Sequence, residues 1–323
     1  MISLVIPCYN EEHHISALYK ATMDILNQLS ISDYEFIFVD DGSSDRTLAE
    51  IKQLCLLDSN VAYLSFSRNF GKEAAMLAGM EYASGELVAI MDADMQDPPA
   101  LLEPMYEMLK NNKELDCIGT RRVTRKGEPK IRSFCARQFY KLINRMSSIE
   151  IVDGARDFRL MRRNMVNAII SLPEKNRFSK GLFVWVGFKT KYIEYENIER
   201  SSGQSKWSFW DLALYSLDGI LSFSTVPLAI VSIIGVLFFL LSMFLLGLVF
   251  AQKIIWGNPI QGWTSMMCII LMLFGVQLFS TGIIGQYIMK VFVETKKRPL
   301  YVLRETHINN RLTESQGRRH NEK

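Results

Sequence analysis

The sequence has no C-x-x-C pair, and its five cysteines (Cys8, Cys55, Cys117, Cys135 and Cys268) are scattered. An odd, unpatterned set argues against a disulfide framework and against a structural zinc site, and it fits a reducing compartment. There is no G-x-x-x-x-G-K-[ST] run and no glycine-rich dinucleotide turn after the first apolar segment. Phosphate handling therefore falls to a metal and basic side chains, not to a backbone cradle. The net charge is only +3 and no basic-aromatic stripe occurs, so nucleic acid is not an expected partner. Met1 is followed by a short apolar run with no basic leader, so no signal peptide is expected.

The most informative absence is charge. No charged residue lies between Asp218 and Lys253, and none between Lys253 and Lys290. Residues 226–251 and 263–289, the second inside an apolar run that opens at Gln261, each exceed the ~20 residues needed to cross a bilayer. The short connector carries Asn258-Pro259, so the pair is predicted to form a transmembrane hairpin. Lys290, Lys296, Lys297 and Arg298 follow it. By the positive-inside rule both outer flanks are expected on the cytoplasmic face of the membrane. Two further segments suit the membrane surface: 131–147, where Phe134, Phe139 and Leu142 interleave with Arg132, Arg137 and Lys141, and 207–224, with Trp207, Phe209 and Trp210. An ordinary surface helix is the alternative for the first. Arg304–Lys323 is polar and without periodicity, and is expected to be a disordered tail. The predicted organisation is a cytoplasmic domain over 1–225, a hairpin over 226–290 and a cytoplasmic tail over 291–323.

The first part of the chain alternates in character. Apolar strands are predicted at Ile2–Ile6, Glu35–Val39, Val61–Phe66, Leu87–Met91 and Asp116–Thr120. Helices are predicted at Glu11–Leu29, Thr47–Leu57, Lys72–Ala83 and Pro99–Asn111. Apolar strands alternating with helices imply an α/β fold with a mainly parallel sheet covered on both faces. Ligands of such sheets bind beyond the carboxyl ends of the strands. The polar clusters fall there: Pro7–Glu12, Asp40–Asp45, Ser67–Lys72 and Asp92–Asp97.

Asp92-Ala93-Asp94, with Gln96 and Asp97 behind it, ends a strand. Two carboxylates and an amide oxygen suit a hard cation such as Mg²⁺ or Mn²⁺, which would neutralise charge on a leaving diphosphate. Alone, D-x-D is weak, because acidic pairs are commonly solvated loops. Asp40-Asp41-Gly42-Ser43-Ser44-Asp45 reads either as a turn with a helix cap or as a carboxylate that accepts the imide N–H of uracil. Arg68-Asn69-Phe70-Gly71-Lys72 reads either as a surface charge pair or as a donor-diphosphate or base contact.

Taken in order, Ile6-Pro-Cys-Tyr-Asn-Glu-Glu12, Val39-Asp-Asp-Gly-Ser43, Arg68-Asn-Phe-Gly-Lys72 and Asp92-Ala-Asp-Met-Gln-Asp97 resemble the motifs of family 2 glycosyltransferases with the A-type, Rossmann-like fold. Asp157-Phe-Arg-Leu-Met161, Lys180-Gly181 and Arg200-x-x-Gly-x-Ser-Lys-Trp207, ahead of a two-span tail, are similar to the bactoprenol glucosyltransferase group and, more distantly, to dolichol-phosphate mannose synthases. The resemblance implies transfer of a sugar from a nucleotide-sugar donor to a polyprenyl phosphate lipid, with glucose first, N-acetylglucosamine second and mannose third. It implies that Asp94 and Gln96 bind Mg²⁺ or Mn²⁺, with Asp92 close to both the metal and the donor sugar, and gives Asp92, Asp94 and Asp157 catalytic roles. It places Pro7, Tyr9, Asn10, Glu11, Asp41, Arg68 and Lys72 on the donor side. Asp157 falls near the acceptor, and Arg121, Arg200 and Lys206 on the lipid phosphate and donor diphosphate. A homo-oligomer, a tetramer, is implied as well. A processive polysaccharide synthase is disfavoured, because the chain has two predicted spans and no Q-x-x-R-W motif. A non-catalytic scaffold would show a degenerate acidic motif, which this chain does not. A flippase would need more spans, with charge inside them.

Overall fold

A computed structural model of the chain describes residues 1–123, 144, 152–175, 177–196, 224, 226–256 and 262–308. Both expected interfacial segments (131–147 and 207–224), apart from Asn144 and Ser224, lie outside the described residues, as do Arg200 and Lys206. The chain begins β1 (Ile2–Cys8), α1 (Ile15–Gln28), β2 (Tyr34–Asp40), α2 (Thr47–Leu57), β3 (Val61–Phe66), α3 (Lys72–Tyr82) and β4 (Leu87–Ile90). A 3₁₀ turn at Pro99–Leu101 leads into α4 (Leu102–Asn111), then β5 (Cys117–Arg122), β6 (Ala155–Arg162), α5 (Arg163–Ser171), α6 (Ser179–Trp185) and β7 (Thr190–Tyr195). Two long helices follow, α7 (Val226–Trp256) and α8 (Trp263–Thr295), and the chain closes with β8 (Leu303–His307).

One eight-stranded sheet runs β7-β5-β6-β4-β1-β2-β3-β8. β1 pairs in parallel with β2 and β4, β2 with β3, and β5 with β7. β6 is antiparallel to both β4 and β5, and β8 is antiparallel to β3. Strand order reverses between β4 and β1, which opens a crevice at their carboxyl ends. Because β6 runs the other way, its first residues arrive at that same edge.

The central strands are apolar on both sides because both sides are covered. Leu4, Ile6, Phe36 and Phe38 pack with α1, α2 and α4, while Val5, Ile37 and Val39 face the opposite cluster with α3 and α5. Helix α3 lies so close to the sheet that Ala74, Ala75, Ala78 and Gly79 are its buried small residues. A Cβ at Gly79 would collide with Val5 Cγ1 and press on Val39 Cγ2. At the amino ends of the strands, buried Glu35 accepts from Ser3 Oγ (2.5 Å) and from the Ser84 N–H (2.7 Å).

Three expectations are corrected. Helix α1 starts at Ile15, not Glu11, because the N–H groups of Asn10, Glu11 and Glu12 donate to Ser43, Thr47 and Asp45 across the sheet edge. The mainly parallel sheet also holds β6, β7 and β8, none of which was predicted as a strand. The expected tail includes an ordered part: Leu303–His307 is a strand whose register partners are Phe66 to Tyr63. Its polar sequence suits an edge strand, where one rim faces water.

Helices α7 (31 residues) and α8 (33 residues) run past the expected ends at 251 and 289. Both are long and apolar enough to cross a membrane, and almost none of that apolar surface is buried within the chain. Ser224 accepts from Tyr287 Oη at 2.7 Å, so the start of α7 lies beside the later part of α8.

Gly79→Ala is expected to destabilise the protein by about 1–3 kcal/mol through overpacking against Val5. Chemical denaturation of the variant beside the wild type measures it.

Candidate active site

The loops after β1 and β2 are laced together. Asn10, at φ +55°, donates its N–H to Ser43 Oγ (3.0 Å) and accepts the Ser44 N–H on Oδ1 (2.9 Å). Glu11 N–H meets Thr47 Oγ1 at 2.8 Å, and the Arg46 N–H meets Glu12 Oε2 at 2.9 Å. Glu11 also holds His14 Nδ1 at 2.9 Å. The pleat leaves Pro7 half-buried beside Tyr9, whose ring is 41% exposed at the mouth of this edge.

The next loop is held by Asp41. Its carboxylate is buried and accepts the N–H groups of Phe70 (2.6 Å) and Gly71 (2.9 Å), the donors that lead into α3. An anion there also complements the helix dipole. Burial raises the Asp41 pKa, while those two N–H bonds pull the other way. Gly42 is required for this contact: at φ +68°, a Cβ would sit 2.5 Å from the Arg68 carbonyl carbon. Arg68 is exposed and stacks its guanidinium on the Phe70 ring at 4.4 Å.

Lys72, the first residue of α3, is the hinge of the site. Its Nζ lies 2.6 Å from Asp92 Oδ1 and 2.6 Å from Asp157 Oδ2. One ammonium thus joins the end of β4 to the beginning of β6, 85 residues apart in sequence in the case of Asp157. Burial works against the ammonium, but Asp157 and then Asp92 outweigh it and hold the Lys72 pKa above the ordinary lysine range. Burial likewise works against the Asp157 carboxylate, yet Lys72, Lys180 and Arg159 overcome it and hold that carboxyl well below the usual range.

The acidic turn after β4 has its own cation. Arg156 Nε contacts the Asp97 carboxylate at 3.0 and 3.2 Å, and its Nη2 reaches Gln96 Oε1 at 3.5 Å and Asp92 Oδ2 at 4.0 Å. Tyr195 Oη also donates to Asp97. Among the described residues Asp94 Oδ1 accepts only the Gln96 N–H, at 3.2 Å, and Asp94 has no ion-pair partner. Among the described residues no group of three or more His, Cys, Asp or Glu side chains is arranged for a metal. The donor set still fits Mg²⁺ or Mn²⁺, which need only one or two carboxylates and complete their shell with phosphate and water.

The structure therefore brings Asp92, Asp94, Gln96, Lys72 and Asp157 to one edge, with Pro7, Tyr9, Asn10 and Glu11 along it. Arg121, one residue before the end of β5, lies at the same edge, donating to the Asp153 carbonyl (3.0 Å) and Glu194 Oε1 (3.1 Å). Reading the sequence missed Arg156, Tyr195, Arg159 and Glu73. Arg156 stands next to Asp157 in Asp153-Gly-Ala-Arg-Asp157, which was the available signal. Arg159 is 2% exposed, lies over the Phe183 ring at 3.4 Å and donates to the carbonyls of Arg156 (2.8 Å) and Asp157 (3.3 Å). Nothing in a sequence marks such an arginine as buried.

Glu73 follows Lys72 and accepts the Ser179 N–H and hydroxyl. Burial, reinforced by Asp157, pushes its carboxyl up from 4.5 to about 7. Between those values the folded state holds the extra proton, so this group's contribution to stability is full below pH 4.5 and falls as pH rises towards 7. Glu73→Gln is expected to gain stability relative to wild type as pH rises across that window, by on the order of 1–3 kcal/mol. Denaturant melts at pH 5 and pH 7.5 read it out.

The family model described as Glycosyl transferase family 2 matches residues 3–170, which take in the loops after β1 to β4 and the start of β6. The chain is 44% identical over 96% of its length, and 93% of the relative's, to the CsbB protein of Bacillus subtilis (strain 168). It is 39% identical to the SfII prophage-derived bactoprenol glucosyl transferase of Shigella flexneri, over 96% of this chain and 99% of that one. Among solved structures it is similar to glucosyl-3-phosphoglycerate synthase from Mycobacterium tuberculosis in complex with Mn²⁺, uridine diphosphate and phosphoglyceric acid. That match has 17% identity and a TM-score of 0.49, and covers 68% of this chain and 76% of that one. With the family model spanning more than half of the chain and relatives matching it nearly end to end, this protein belongs to glycosyl transferase family 2.

Proposed function

We propose that the protein transfers glucose from UDP-glucose to a polyprenyl phosphate, with inversion at the anomeric carbon, to supply a lipid-linked monosaccharide for a cell-surface glycan. The observation that carries the reading is the match to bactoprenol glucosyl transferases along almost the whole chain, the two apolar helices included.

The charges of the site support it. The acceptor oxygen belongs to a phosphate monoester, which is largely anionic at neutral pH (second pKa about 6). No strong base is then needed, and Asp157, held below the usual carboxylate range, is a standing anion that orients substrate rather than a proton acceptor. Two anionic substrates must meet, so cations have to surround them. Arg121, Arg200 and Lys206 would hold the lipid phosphate and the donor diphosphate by charge-assisted bonds. Pro7, Tyr9, Asn10, Glu11 and Asp41 would line the nucleoside, with Arg68 and Lys72 nearby; Asp41 also sets the loop that presents those two cations. Asp94 and Gln96, with Asp92 adjacent, would hold a divalent cation, Mg²⁺ or Mn²⁺, whose charge stabilises the departing diphosphate.

Helices α7 and α8 would cross the membrane as a hairpin, with the sheet and the tail both on the cytoplasmic face. Lys290, Lys296, Lys297 and Arg298 at the exit of α8 support that orientation. So does β8, because a strand paired with β3 has to lie on the same side as the sheet. The unburied apolar faces of the hairpin leave room for the homo-oligomer, a tetramer, that belongs to the same proposal.

The test uses purified full-length protein with undecaprenyl phosphate, Mg²⁺ or Mn²⁺, and labelled UDP-glucose, UDP-N-acetylglucosamine or GDP-mannose. Label should enter the lipid phase fastest from UDP-glucose, and chelation should stop it. Transfer from another donor alone would overturn the sugar assignment. Asp94→Ala should lose roughly 100-fold or more in rate, and full activity in that variant would remove the metal role from Asp94.

A further inference from the structure

The return of the chain from α8 ends on the loop that carries Lys72. After Thr295 a short segment leads to β8, whose Leu303 pairs with Phe66, the last residue of β3. One residue earlier, the Val302 carbonyl accepts the Ser67 N–H at 2.9 Å. One earlier again, the Tyr301 ring stacks on Phe66, with centroids 5.0 Å apart and planes 12° apart. Phe66 meets Phe70 edge-on at 5.7 Å, and Arg68 lies on Phe70. Tyr301 Oη donates to Glu81 near the far end of α3. Tyr301 and Val302 therefore grip the leading flank, Phe66 and Ser67, of the segment that bears Arg68 and Lys72, and Tyr301 also ties down the far end of α3. The remainder of β8 is fastened by Lys52–Glu305 at 2.7 Å and by Tyr63 stacked on His307 at 5.9 Å.

We propose that residues 299–307 form a strap that positions the donor loop, with Tyr301 as its positioning residue: by stacking on Phe66 and bonding Glu81 it fixes Arg68 and Lys72, and through Lys72 the pair Asp92 and Asp157. The effect runs through the loop, which Tyr301 and Val302 meet at Phe66 and Ser67. The strap is also the covalent continuation of α8. The donor side of the site is thereby set relative to the apolar hairpin by a few residues of chain. This inference rests on the donor reading above only for its kinetic consequence; the mechanical claim stands apart from it.

The experiment compares full-length wild type, Tyr301→Ala and Tyr301→Phe, with Lys52→Ala as a variant that loosens β8 away from the loop. Amide hydrogen exchange is followed at residues 67–75. Tyr301→Ala should speed exchange there by about tenfold or more while the strands β1 and β2 stay protected. Tyr301→Phe, which keeps the stacking, should fall between it and the wild type, and Lys52→Ala should leave the loop unchanged. In the transfer assay, Tyr301→Ala should raise the UDP-glucose KM by about tenfold with the undecaprenyl phosphate KM held within about twofold, and Tyr301→Phe should restore most of it. Unchanged exchange at 67–75 in Tyr301→Ala overturns the strap. So does loss of protection across the whole sheet, which would make Tyr301 a general stability residue. Altered exchange with a wild type that transfers no glucose would leave the strap standing and remove the donor assignment instead.

Discussion

Four carboxylates, those of Asp92, Asp94, Asp97 and Asp157, gather at one sheet edge, and the placement of Lys72 and Arg156 makes that gathering tolerable. An unpaired carboxylate removed from water is costly, and several together repel one another. Lys72 spans Asp92 and Asp157, and Arg156 spans Asp97, Gln96 and Asp92. Asp94 is the member left without a side-chain cation among the described residues. Among the described residues these cations thus leave one carboxylate, that of Asp94, without an ion-pair partner.

The fold serves this arrangement by two reversals of direction. Order reverses between β4 and β1, which opens the crevice, and β6 runs against its neighbours, which delivers Arg156 and Asp157 to the mouth. Helix α3 then has to start at the same edge. Its amino end is secured by Asp41 through the Phe70 and Gly71 N–H groups, and its body by small residues that allow close approach to β1. The strand at the other rim, β8, comes from beyond α8, so the catalytic sheet is closed by residues that follow the two long apolar helices in sequence.

Much of this was legible beforehand. Val61–Phe66 and Thr47–Leu57 lie where the apolar pattern puts them, because strands buried on both faces read as continuous apolar runs. The polar clusters after the first four strands do sit together, because a parallel sheet places all its carboxyl ends on one side. The later elements were not legible. Ala155–Arg162 carries four arginine or aspartate side chains among its eight residues and does not look like a central strand. It is one because Arg159 is buried on Phe183 and Arg156 is spent on Asp97, both tertiary facts. The tail strand was hidden for the same reason: Leu303–His307 has no periodicity of its own and takes its conformation from the exposed rim of β3.

The amino-acid order by itself determined the alternating α/β plan, the two long apolar helices and the family to which the acidic motifs belong. Each of these is a local pattern of polarity or residue type, read within one element. Only the tertiary structure decided which charges neutralise which, that β6 runs antiparallel, and that the chain returns from α8 to brace the Lys72 loop. Those depend on residues tens to hundreds of positions apart, and contact between them is set by packing and desolvation, which leave no mark on the local sequence.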